Sequence, residues 1–546
     1  MRVGINISIM KLISIFFIIL SFSLNAQTFV IENQKTIGGS LDDVCKKVIQ
    51  LDNGNLLLIL DSNSPISGNK TINSYGLNDY WIICIDSTLN IKWQKVYGGT
   101  GSDEVIDVIF SYNQIVVIGN STSPISGNKT VANFGSGTSD IWIVCLDING
   151  NEKWQKAYGG SENEKSKKII GNGKNYFLLS TSQSNISGTK SENSKGGYDY
   201  WISEIDSLGN QLWDKTIGGN NNDNASSFTI YNSDTLIIVG SSLSTISGDK
   251  TENRISSSSY EPDIWTMMFL LNSKNIAWDK TLGGLKEDGN LFGKSESVLV
   301  LNRFIYLISK SNSGIGGTKT SLDYGTYDIW LNKLNSNGVK IWDKTYGGSD
   351  FDAPEDIQWI SNERFLIYGS SSSDISGNKT SGTNGSSDLW FLTIDTLGNI
   401  VSDFNIGGAD ADFGANIIKL TNGSFLVSST SNSSISGDKT ENSKGALDSW
   451  TIKLSFYAGL AEPLYKNIVT IFPNPSTNYL TIIIISPNQV IALLQIYNSL
   501  GQLVVSQEPN TVEVTTDVSG LKQGVYFVEG FTRKGERFEG KFVKQE

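Results

Sequence analysis

The amino-acid sequence predicts an all-β protein: a seven-bladed β-propeller of four-stranded blades, closed by its own N-terminal strand, followed by a small β-sandwich. Three recurring marks carry the first part of that expectation. A Gly-Gly pair returns about every 60 residues, its first member at Gly38, Gly98, Gly159, Gly218, Gly283, Gly347 and Gly407. A D-x-W triplet returns in the same phase, with Trp81, Trp142, Trp201, Trp265, Trp330, Trp390 and Trp450. Between them stands an I-S-G-x-K turn opening at Ile66, Ile125, Ile186, Ile246, Ile375 and Ile435, with Ile315-Gly316-Gly317 as its variant. Three marks that keep one order and one phase define a structural repeat.

Before the repeats, Lys11 precedes an apolar run from Leu12 to Leu20, and small or polar residues lead to Ala26. That layout is a secretory leader over residues 1–26, and the run is too short to span a bilayer. No later stretch is long and apolar enough for a transmembrane helix. Residues 27–455 are assigned to the propeller, 456–466 to a connector and 467–546 to the second domain.

Each repeat reads as four strands. After Gly-Gly comes a run such as Asp103–Phe110, a turn, then Ile115–Ile118. Turns such as Asp52-Asn53-Gly54-Asn55 carry the Asn-Gly chemistry of tight hairpins. The third strand holds D-x-W, as in Asp140–Leu146, and a short turn leads to a fourth, Glu152–Tyr158. The chain enters at Phe29–Ile37, which matches a fourth strand, and leaves at Trp450–Leu454, a third strand with none after it. Pairing those ends removes an open edge.

Twelve of the 13 tryptophans occupy two repeat positions, the D-x-W site and the fourth strand (Trp93, Trp154, Trp213, Trp278, Trp342). A large aromatic needed once per blade is packing between blades, not a ligand platform. Asn33 and Ser402 stand where that fourth-strand tryptophan is expected, which predicts two weaker blade contacts. Cys45, Cys84 and Cys145 are expected as small buried hydrophobes without disulfides.

Composition excludes several functions. With no histidine, the chain has no Ser-His or Cys-His nucleophile and no His-based metal site. A formal charge of −12 disfavours nucleic acid, whose phosphates need excess Lys and Arg. Seven lysines, from Lys70 to Lys439, and two sets of seven acids do recur. One set, beginning Asp43 and Asp103, follows each Gly-Gly pair; the other, beginning Asp79 and Asp140, opens each D-x-W. Repetition once per blade predicts turn ligands, with the lysine as partner, and neither a metal site nor a catalytic pair; no cofactor is expected. A site should break the symmetry. The departures are the long fourth-repeat loop, with Arg254, Tyr260 and Glu261, and the off-pattern Trp359; these are the candidate binding residues.

Beyond residue 466 the period stops. The strings IFPNPSTNYLTI, IYNSLGQLV and DVSGLKQGVYFV, with Pro473, Asn474, Pro475, Gly501, Gly520, Gly524 and Tyr526, resemble the type A C-terminal sorting domain of the type IX secretion system of Bacteroidetes-like bacteria. That resemblance implies export, handling by the type IX machinery and a sortase, and a product on the cell surface or released. The repeats resemble uncharacterised propeller repeats of such exported proteins, which implies no activity. D-S/T-L strings at Asp206, Asp234 and Asp395 resemble O-glycosylation sites of the same bacteria. The functional expectation is a non-catalytic scaffold recognising a glycan or a protein; the alternative is an extracellular polysaccharide-active hydrolase or lyase.

Overall fold

Alternating apolar residues between Gly- and Asn-rich turns produce four short antiparallel strands per repeat. The first sheet joins Asp43–Gln50, Leu56–Ser62, Asp79–Ile85 and Ile91–Tyr97 in that order. Its hairpin turns at Asn53-Gly54, where Gly54 has φ of +80°. That left-handed conformation explains the glycine there. The two middle strands are buried along their whole length, while the first and fourth alternate, as expected for sheets stacked face to face.

The computed structural model describes residues 28–290, 296–361, 364–457, 469–484, 490–499, 502–533 and 537–545. The expected leader, most of the connector and Gly501 lie outside them. No helix occurs among the described residues, so none is long and apolar enough to cross a membrane.

The chain forms two compact units, described separately; residues 29–456 form the larger, whose seven four-stranded sheets follow one plan. The first strands of successive sheets start at Asp43, Asp103, Glu164, Asp223, Ser297, Asp352 and Asp412. Each packs beside the first strand of the next sheet, and the strand from Asp43 packs on that from Asp412. This is a β-propeller arrangement. The seventh sheet takes its fourth strand, Thr28–Ile37, from the beginning of the chain, beside Asp448–Tyr457.

The D-x-W tryptophans are fully buried and fill the joints between sheets. Trp142 of the second sheet packs with Leu57, Ile59 and Tyr80 of the first, and the Tyr80 hydroxyl donates to the Trp142 carbonyl at 3.2 Å. Trp265 meets Tyr200 in the same way, 5.1 Å between ring centres. Fourth-strand tryptophans reach the following sheet: Trp154 Nε1 donates to the Ser207 carbonyl at 3.2 Å. At Ser402, where a weaker contact was expected, Phe404 stacks between Phe29 at 4.5 Å and Phe391 at 4.7 Å. The aromatic area lost at one strand position returns two residues along it.

The smaller unit, described separately, holds a three-stranded sheet (Val469–Phe472, Tyr479–Ile484, Glu513–Asp517) and a four-stranded one (Ile491–Asn498, Leu503–Gln507, Gly524–Thr532, Arg537–Lys544). Leu480 and Ile482 of one share an apolar core with Ile496, Val528 and Phe542 of the other. Asn474 clasps the last strand: its amide donates to the Lys541 carbonyl at 3.1 Å and its oxygen accepts from Val543 N at 2.9 Å. Tyr526 is buried, its hydroxyl bonded to the Lys522 carbonyl at 2.8 Å.

Candidate functional site

The repeated acids and lysines are buried in the joints. Asp103 accepts from Gly99 N and from Ser123 Oγ, both at 2.7 Å, and tethers the Gly-Gly turn. Asp328 accepts from Tyr324 N at 2.6 Å and Gly325 N at 3.3 Å, and so caps the loop before its own D-x-W. Across each Gly-Gly turn the D-x-W acid of one sheet faces the Gly-Gly acid of the next. A Cβ on Gly159 would lie 2.1 Å from Asp140 Oδ1 and 2.6 Å from Glu164 Oε2. Only glycine allows that approach. Most of these acids keep one buried oxygen without a partner among the described residues, Asp79, Asp103, Asp328 and Asp352 among them. Burial, and then the neighbouring carboxylate, pushes Asp140 up to about 8 and Asp263 up to about 7.

The lysines donate to hydroxyls and loop carbonyls, and none is within ion-pair distance of a repeat acid among the described residues, which refines the expected partnership. Lys70 donates to Ser62 Oγ, the Ser64 carbonyl and Ser74 Oγ at 2.6–2.8 Å and stands 5.5 Å from the centre of the Trp81 ring. Burial lowers its ammonium to about 8. Among the described residues no cluster of three or more His, Cys, Asp or Glu side chains is placed to hold a metal ion. The three cysteines are buried free thiols.

Symmetry breaks elsewhere. Six first strands carry a β-bulge three residues beyond the acid, seen as register skips at Cys45/Lys47, Val105/Asp107, Ser166/Lys168, Ala225/Ser227, Pro354/Asp356 and Gly414/Asn416. A bulge leaves its extra residue unpaired and re-aims the side chain. Here it turns Lys46, Ile106, Lys167, Ser226 and Glu355 toward a central cavity of about 690 Å³, and the next residue of each strand follows, as at Lys47, Asp107, Lys168 and Asp356. In the fifth sheet Ser297 pairs with Ile308 as Lys47 pairs with Ile59, which puts Glu296 at the bulge position.

This cavity wall is polarised. Lysines come from the first and third sheets; acids come from the second, with Glu104 and Asp107, and from the sixth, with Glu355 and Asp356. Lys47 pairs with Asp107, whose second oxygen accepts from Ile169 N at 2.9 Å, so one carboxylate ties three sheets together. Lys46 lies 3.0 Å from Asp61, which also accepts from Val105 N at 2.6 Å. Burial raises Asp61 to about 6 against that pairing. Glu296 is fully buried, accepting from Asn290 N at 2.8 Å and from Ser226 Oγ. Lys167 faces Glu296 but makes no ion pair with it; enclosure by the wall lowers its ammonium to about 8.

The residues singled out in the sequence are not brought together. Arg254, Tyr260 and Glu261 lie in the loop at the Gly-Gly end of the fourth sheet; Tyr260 is 85% exposed, and Glu261 accepts from Ser256 Oγ at 3.3 Å. Trp359 stands at the hairpin end of the sixth sheet and packs edge-on against Phe365 at 5.2 Å. It is partly buried against that sheet's core. Of the D-S/T-L strings, Thr235 is buried in a strand, while Ser207 and Thr396 sit at short turns. The cavity residues were missed. Counting three and four residues on from the acids of the six bulged strands, where Lys-Lys, Ile-Asp, Lys-Lys, Ser-Ser, Glu-Asp and Ala-Asn stand, shows positions whose charge varies from repeat to repeat.

Residues 470–545 match the family described as a secretion system C-terminal sorting domain. A tail of this type IX kind implies delivery out of the cell. A curated relative, the regulatory protein FlaEY of Caulobacter vibrioides, is 23% identical over 219 residues; the match takes in 38% of this chain and 23% of that protein's length. Among solved structures the chain is similar to the Neurospora crassa Pan2 WD40 domain (8% identity, TM-score 0.41, covering 78% of this chain and 96% of that one). It is also similar to the β-propeller domain of the Trilobed protease from Pyrococcus furiosus (11% identity, TM-score 0.33, covering 81% and 96%).

Proposed function

We propose that this is an exported, non-catalytic binding protein, whose propeller recognises a glycan or a protein through its central cavity and the loop-rich face around it. The sorting tail supports export by the type IX machinery, with removal of the tail by a sortase and display on the surface or release. We read the pairing of Thr28–Ile37 with Asp448–Tyr457 as the fastening of the ring, which keeps the scaffold rigid outside the cell.

One observation carries the binding reading. Joint residues repeat seven times, whereas the bulge residues facing the cavity differ in nearly every sheet while the bulge itself is kept. A position that serves the fold repeats with the fold; a position that serves a ligand need not. The surrounding face adds an apolar rim, because the seven isoleucines that open the I-S-G-x-K turns are each 57–66% exposed. Exposed apolar side chains ringed by polar turns are a common interaction surface.

The enzymatic alternative rests on Lys167, Glu355 and Asp356 sharing one cavity, since a lysine with a lowered pKa can act as a base. Incubation of the purified protein with a polysaccharide panel separates the two readings. Retention of an intact polysaccharide, or of a protein ligand, is the expected result. Release of shortened or unsaturated products would overturn the binding reading.

A further inference from the structure

The cavity's chemistry is selective. Its volume, about 690 Å³, suits a short oligosaccharide. Beside the apolar Val44, Ile106 and Phe413, the cavity presents hydroxyls and an amide from Ser102, Asn120, Thr122 and Ser139. Such a lining matches the dense donors and acceptors of a sugar better than the side chains of a peptide.

Charge narrows the class. The chain as a whole is at −12, yet in the cavity five lysines (Lys46, Lys47, Lys165, Lys167, Lys168) outnumber the four acids (Glu104, Asp107, Glu355, Asp356). The acids opposite are engaged: Glu296 accepts from Asn290 N and Ser226, and Asp356 accepts from Ser297 and from Ile357 N at 2.9 Å. The lysines are engaged less evenly. Lys46 and Lys47 have Asp61 and Asp107, and Lys168 donates to Ser227 Oγ at 3.0 Å. Lys167 makes no hydrogen bond or ion pair among the described residues. An enclosed ammonium has three donors to satisfy, and leaving them unmet is costly.

We propose that the cavity binds an acidic oligosaccharide, with the carboxylate or sulfate of one sugar on Lys167 and the sugar hydroxyls on the Ser, Thr and Asn wall. This rests on the cavity being the ligand site. An anion there supplies the acceptor that Lys167 lacks, while Lys168, next along the same strand, and Lys46 of the first sheet add favourable field. Enclosure also makes the contact sensitive to pH. With the ammonium lowered to about 8, binding weakens as pH rises through that value, well below the range of a solvent-exposed lysine.

The test uses the purified protein with a panel of uronate-bearing and sulfated oligosaccharides, their neutral counterparts, and a peptide library, read by titration calorimetry. At least one acidic oligosaccharide should bind at pH 7, its neutral counterpart at least about tenfold more weakly, the loss of one charge-assisted hydrogen bond. Lys167→Met should lose a similar factor. Lys167→Arg, which keeps its charge, should bind at pH 9, where the wild type has weakened. A neutral glycan or peptide that binds in preference and is sensitive to Lys167→Met would overturn the acidic-sugar assignment and leave the cavity as the site. Acidic-sugar binding indifferent to both variants would overturn the cavity itself, and so would a panel in which nothing binds.

Discussion

Replacing Asp140 with asparagine should remove a pH dependence that the propeller's joints build into its stability. Asp140 and Glu164 face each other across a fully buried joint, where burial and the neighbouring carboxylate favour the protonated form of Asp140. Burial, the Phe134 N–H working against it, and then Glu164 set Asp140 at about 8, from 3.8 in the unfolded chain. The folded state therefore holds a proton that the unfolded state releases. The resulting stability is fully present below pH 3.8 and is lost as pH rises toward 8. At about 1.4 kcal/mol per pH unit the ceiling is roughly 6 kcal/mol, and local relaxation in a medium of intermediate dielectric leaves about 3 kcal/mol. Asparagine keeps the acceptor for Phe134 N and offers an amide N–H to Glu164 without titrating. All 13 tryptophans lie within the propeller, so their fluorescence during denaturant unfolding reports that unit alone. Between pH 4 and 8 the wild type should lose about 3 kcal/mol more than Asp140→Asn. Parallel profiles would refute the proton held on Asp140. The buried lysines do not confuse the sign: Lys70 and Lys250 titrate near 8, so below that they are charged in both states.

Other perturbations address the joints and the tail. Gly98→Ala places a Cβ 1.7 Å from Asp79 Oδ1, and it should cost about 1–3 kcal/mol or more in the same unfolding assay, the usual range for overpacking. Trp142→Ala empties the joint between the first two sheets and should cost about 3–5 kcal/mol. A melting midpoint unmoved by millimolar calcium or chelator is expected, because two carboxylates and a lysine supply too few oxygens for an ion that takes about six to eight; a calcium-dependent rise would show the joints to be cation sites. Deleting residues 467–546 should leave the tryptophan fluorescence of a folded propeller but hold the protein in the periplasm, which cell fractionation reads directly.

Much of the architecture was legible because it is written seven times. The Gly-Gly, D-x-W and I-S-G-x-K marks report local requirements, a glycine pressed against a carboxylate and an indole filling a joint, and repetition separates them from chance. The four-strand plan and the pairing of Phe29–Ile37 with the last repeat followed from counting strands. The site was not legible in the same way. Arg254, Tyr260, Glu261 and Trp359 stood out because they depart from the repeat in length or residue type, yet they do not come together: Trp359 lies at the hairpin end of its sheet, partly buried against Phe365. Lys46, Lys167 and Glu355 looked like ordinary charge variation on amphipathic strands. Whether such a residue faces a neighbouring sheet or the central cavity depends on a single skipped register in the first strand. That bulge is a property of paired backbones, and its consequence appears only when first strands some 60 to 300 residues apart in sequence surround one space. Local patterning thus determined the blades, while the packing of first strand against first strand decided which side chains meet, because convergence is set by contacts between sheets and not by spacing along the chain.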